Sequence, residues 1–86
     1  MSKLSKMSFI DLVLYVEEKY SEFNRMSHYL NESGKAALDT YSILSDRMQF
    51  ISSKEELIKD INNIITHYDE NNAIIKNLKG FVKQIG

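Results

Sequence analysis

Chemistry at neutral pH needs groups that titrate, coordinate or attack, and this chain holds few of them. Its two histidines are His28 and His67, and it has no cysteine. His28 and Glu32 stand four apart, a spacing that shares one face of a helix, and His67 precedes Asp69 and Glu70. Each arrangement falls short of a zinc site, because no further ligand follows at a matching spacing. They read as surface histidines, and no metal-binding residue is assigned. Glu17-Glu18 and Glu55-Glu56 are paired carboxylates, but neighbouring helix residues project about 100° apart and do not converge on one substrate. The serines lack the Gly-x-Ser-x-Gly elbow that exposes a nucleophile. The sequence therefore reads as non-enzymatic, with no catalytic residue, no cofactor site and no small-molecule substrate.

The composition narrows the classes further. The chain has 86 residues, no proline, and three glycines at Gly34, Gly80 and Gly86. Glycines so far apart cannot cradle a phosphate. Basic and acidic residues number 11 and 12 and are interspersed, so no basic footprint for nucleic acid exists. Lys76, Lys79 and Lys83 do share one helix face. They either meet an acidic partner or complement the negative end of a helix dipole. Near the start, Lys3 and Lys6 precede the apolar run Phe9–Val16, which Asp11 interrupts and Glu17-Glu18-Lys19 follows. The run is too short to span a membrane and reads as a helix rather than a cleaved signal. The expected location is the cytoplasm, or outside the cell after export without a cleaved leader.

The elements follow from periodicity. Alternating steps of four and three from Phe9 pick out Phe9, Val13, Val16, Tyr20, Phe23, Ser27, Leu30, Gly34, Ala37, Tyr41, Leu44, Met48 and Ile51. A second series runs Leu57, Ile61, Ile64, Tyr68, Asn71, Ile75, Leu78, Val82 and Ile85. These are heptad seams of helices packed lengthwise. Their phases break at Ser52-Ser53, where Ser53-Lys54-Glu55-Glu56 forms a capping box. The spacing predicts a single all-α domain over 1–86, with residues 1–7 flexible and a long antiparallel hairpin of helices near 9–51 and 54–85. The second helix would be roughly 48 Å long. Asn31-Glu32-Ser33-Gly34 resembles a helix end with a glycine cap, and a break at Gly34 would give a three-helix bundle instead.

In the hairpin, Ile61, Ile64, Tyr68, Asn71, Ile75, Leu78 and Val82 form the core. Asn71 either fixes register there or sits exposed on a curved helix. The first helix outruns the second, so Phe9–Val16 must fold back or be covered by another protomer. Apolar residues also lie off the seams, at Ile10, Leu14, Ile43, Phe50, Ile58, Ile65, Ile74 and Phe81. They make either a broad core face or a second surface. Phe9, Ile10, Val13, Val16, Ile74 and Phe81 are the expected surface for a protein partner or a second copy.

The stretch Tyr68–Val82, with Lys35–Asp39 and Leu44–Arg47, resembles type III secretion needle subunits. Their two helices are joined by a tight turn that would fall near Met48–Ser52 here. The resemblance implies a polymerising component of a secretion apparatus. The turn here has no proline, and Phe9–Val16 is apolar where that family is polar. Met7-Ser8 with Leu12, and Gly34-Lys35-Ala36-Ala37 with Tyr41, are similar to the small WXG-type secreted hairpins, although no tryptophan is present. That resemblance implies pairing with another helical hairpin. A third expectation is a monomeric, inhibitor-like or immunity-like bundle that binds one target.

Overall fold

The computed structural model describes residues 3–69 and 71–86. It contains four helices: α1 Phe9–Arg25, α2 Glu32–Met48, α3 Lys54–Thr66 and α4 Ala73–Ile85. A 3₁₀ turn at Lys3–Lys6 precedes them, and another at Ser27–Tyr29 links α1 to α2. The all-α expectation holds, with no strand among the described residues.

Every helix begins at a side chain that occupies one of the amide groups left free in its first turn. Ser8 accepts from the Asp11 N–H, Asn31 from Gly34, Ser53 from Glu56 and Asn72 from Ile74. The predicted start of a helix at Lys54 is therefore where the capping box places it. The Ser52 hydroxyl also donates to the Glu56 carboxylate at 3.5 Å.

The long hairpin is not formed. The first expected helix breaks at Met26–Asn31 and the second at His67–Asn72. Neither break is at Gly34. Asn31-Glu32-Ser33-Gly34, read as a helix end, is a helix beginning: Asn31 Oδ1 accepts the Gly34 N–H at 2.8 Å. Gly34 does not have a positive φ. A Cβ built there would lie 2.9 Å from Leu30 Cδ2 and 3.1 Å from Leu30 Cβ. Glycine serves close approach at this position rather than left-handed geometry. At the second break Asp69 accepts the Asn71 N–H at 3.0 Å, and Asn72 opens α4. Asx side chains here offer the backbone a substitute for the helical ladder.

The longest helix has 17 residues, about 26 Å. The fold measures 34 × 28 × 27 Å, which leaves no room for a 48 Å rod. α1 folds back onto α2, so it is no overhang. α2, α3 and the Lys3–Lys6 turn all pack on α4. The core consists of Leu4, Leu12, Val16, Leu44, Met48, Leu57, Ile61, Ile75, Leu78, Phe81 and Ile85. Of the segment 1–7 expected to be flexible, Met1 and Ser2 lie outside the described residues. Leu4 is in the core, and Lys54 Nζ donates to the Ser5 carbonyl at 3.0 Å. An apolar anchor and a charge-assisted bond fix that turn.

α2 and α3 are joined by a two-pronged ion pair, Arg47 to Asp60 at 2.7 and 2.6 Å. The guanidinium holds the Asp60 carboxyl below its ordinary range, against an opposing effect of burial. Because the folded state lowers this pKa, the pair stabilises the fold above the ordinary carboxyl range, and its contribution is lost as pH falls through the lowered value. Arg47 is nearly half exposed, so its worth stays near the surface-pair range. Asp60→Asn is expected to cost about 0.5–1 kcal/mol at neutral pH and to flatten the acid limb of a stability–pH curve measured by urea unfolding.

Gly80, inside α4, meets nothing within 4 Å of a built Cβ. Gly80→Ala is expected to stabilise the folded chain by about 0.5–1 kcal/mol, seen as a raised urea midpoint with an unchanged slope.

Candidate functional site

The residues with chemical potential do not converge. His28 lies exposed in the Ser27–Tyr29 turn, while Glu32 opens α2, so the shared helix face does not exist. His67 caps α3: its Nδ1–H donates to the Asn63 carbonyl at 2.9 Å, beside the Thr66 hydroxyl at 3.2 Å. Asp69 is occupied with its own turn, and Glu70 lies outside the described residues. Glu17 and Glu18 are exposed on α1, and Glu56 is engaged at the start of α3. Among the described residues, no group of three or more His, Cys, Asp or Glu is placed to hold a metal ion. None of their helices is long and apolar enough to cross a membrane.

Three surface grooves stand out among the described residues. The first, about 260 Å³, lies where Tyr15 of α1, Thr40 and Tyr41 of α2, and Asn77 and Gly80 of α4 approach one another. Thr40 is buried. Its hydroxyl donates to the Ala36 carbonyl at 2.7 Å and accepts from Asn77 Nδ2 at 3.2 Å, which ties α2 to α4. Phe23 packs against Tyr41 with ring centroids 5.7 Å apart. Burial first, then the Tyr15 phenol and the Glu22 carboxylate, push the Tyr41 phenol up from 10.0 to about 12. The second groove, about 300 Å³, is apolar and lies among Ile43, Ile64, Tyr68, Ile74 and Ile75, with Arg47 at its side. The first groove falls below the usual size of a small-molecule site and the second only reaches its lower edge. A third, about 720 Å³ and lined by Ile51 and, along α3, by Glu56, Lys59, Asp60 and Asn63, lies within that size range.

The expected core and partner surfaces are partly exchanged. Ile61, Ile75 and Leu78 are buried, and Ile64 and Val82 pack against that core half-exposed. Tyr68 is 63% exposed and Asn71 is exposed. Both were expected in the core, but the helix that would carry them ends at Thr66. Of the expected partner surface, Val16 and Phe81 are buried. Val16 turns inward because α1 packs on α2, and Phe81 because it continues the Ile75–Leu78–Ile85 stripe of α4. Phe9, Val13 and Ile74 lie half-buried against the core.

Ile10 alone of that set is open to solvent, at 71%, and Leu14, one turn on, is 59% exposed. Together they make an apolar stripe on the outer side of α1, edged by Asp11, Glu17 and Glu18, all exposed. Leu4 and Leu12 were missed as core residues. The Leu12–Val16 spacing from the Ser8 cap was the signal that would have found Leu12. Gly80, with open space above it, was missed as a surface feature, since a lone glycine on a helix carries no pattern.

Tyr41 supplies a check on the α1–α2–α4 packing. Its pKa is raised in the folded state, so its stabilising effect is complete below the unfolded value near 10 and is lost as pH rises toward 12. Urea midpoints of the natural chain are expected to fall between those values. The Tyr41→Phe variant should fall less steeply over the same range.

Compared with known proteins, the chain matches no family, no curated protein and no solved structure.

Proposed function

We propose that this chain is a non-enzymatic helical interaction module that acts by associating with further copies of itself, as a small subunit of a larger assembly. The observation that carries the reading is the Ile10–Leu14 stripe, two large aliphatic side chains held in water beside a closed core. Covering the parts of both that are still exposed would contribute roughly 2–4 kcal/mol. Docking costs at least about 4 kcal/mol in lost rigid-body freedom. The stripe alone is therefore marginal, and polar contacts must add to it. The expected association is weak, in the micromolar to millimolar range, about −4 to −8 kcal/mol.

The resemblance to needle subunits supports self-assembly as the mode of action and a secretion apparatus as its setting. The split at His67–Asn72 leaves only Ala73–Val82 of its C-terminal stretch on one helix, α4, while Lys35–Asp39 and Leu44–Arg47 share α2. A second reading is favoured by the closed core: a bundle complete in itself can work as a monomeric inhibitor that presents the same stripe to one target. WXG-like pairing with a different helical hairpin would use that stripe too, and would likewise leave the isolated chain monomeric.

Sedimentation over a wide concentration range separates these readings. Self-association is expected, with weight-average mass rising above the 10.0 kDa monomer. Ile10→Glu combined with Leu14→Glu should keep the helical circular dichroism and melting temperature and abolish the rise. A monomer at every concentration would overturn self-association in favour of a single-target binder.

A further inference from the structure

Self-association, as proposed above, leaves open which surface receives the α1 stripe, and we infer that it is the lysine face of α4 on a second copy. The two faces are opposite in charge. The outer side of α1 carries Asp11, Glu17 and Glu18, and basic residues on that side wait until Arg25 at the helix end. α4 carries Lys76, Lys79 and Lys83, all exposed, and contains no acidic residue. Among the described residues, none of these six side chains takes part in an ion pair. The charges are thus free to act between molecules.

The spacings also agree. Asp11 and Glu18 are seven residues apart, as are Lys76 and Lys83, so each pair spans about 10 Å along its helix axis. Two helices laid side by side can match both ends at once. On α4, Ala73 and Gly80 are again seven apart and flank the lysine row. Ala73 is exposed, and Gly80 has nothing within 4 Å of its missing Cβ. They form a shallow strip where an approaching helix can come close, and Ile10 and Leu14 are the protruding side chains that fit it. The long lysine side chains beside the strip then reach the carboxylates that edge the stripe. The contact joins unlike patches. It closes as a dimer where a two-fold axis pairs both contacts reciprocally, and otherwise continues as a chain of subunits.

Charge reversal tests the pairing by sedimentation velocity at low and high salt. Glu17→Lys with Glu18→Lys, and separately Lys79→Glu with Lys83→Glu, should each weaken self-association by about tenfold or more. The natural chain's association should itself weaken with salt. All four positions are exposed, so circular dichroism should show both variants folded. The chain carrying all four reversals restores opposite charge across the contact and should recover association. If the natural chain associates and the reversals leave it unchanged, or the fourfold variant stays as weak as its parents, the α1–α4 pairing is overturned while self-association stands. A natural chain that stays monomeric at every concentration overturns both.

Discussion

The stripe Ile75, Leu78, Phe81 and Ile85 on α4 is the surface onto which the rest of the fold closes. α2, α3 and the Lys3–Lys6 turn each pack on it, while α1 reaches the core mainly through α2. A helix of 13 residues would be marginal alone. It persists because its neighbours cover one side of it almost completely. A chain of this length has roughly 4–13 kcal/mol of net stability, and truncating one buried leucine costs about 2–5. The fold therefore depends on where α4 begins. That point is set by the Asn72 cap and held by the Asn77–Thr40 bond to α2. Among the described residues no buried side-chain polar atom is left without a partner, so the core carries no unsatisfied polar group to offset these gains.

Periodicity made the helical class and most inward faces legible. Leu44, Met48, Leu57, Ile61, Ile75, Leu78 and Ile85 all lie on the two seams and are all buried. The Ser53 cap was legible because its signal is local and chemical. Helix continuity was not. A seam records which side of a segment is apolar, and two helices joined by a short turn can keep the same count. The breaks were written in another alphabet: His67 through Asn72 is six polar or half-polar residues with three Asx among them, and Asn31 stands where an N-cap would. Unbroken phase and the lack of proline mask these signals, because Asx side chains end helices without any proline. Of the expected partner surface only Ile10 is open to solvent, and of the other off-seam apolar residues Leu14 and Phe50 are exposed. Val16 and Phe81 were assigned to a surface because the hairpin left them uncovered, and the real packing covers them.

The outer face of α4 is poorly made for a solitary monomer. Lys76 and Lys79 stand three apart, and Lys79 and Lys83 four apart, so like charges neighbour each other twice on one helix. Each such pair costs a few tenths of a kcal/mol. The helix dipole offsets this mainly for Lys83, which lies in the last turn. Gly80 adds about 1 kcal/mol of lost helix propensity at a site with ample room for a methyl group. The dipole's effect on Lys83 offsets only part of the first cost and none of the second. The outer face of α1 holds the opposite excess, three carboxylates around two exposed aliphatic side chains. The two faces are opposite in charge, and in the pairing proposed above each would relieve the other, which an unrelated partner need not do.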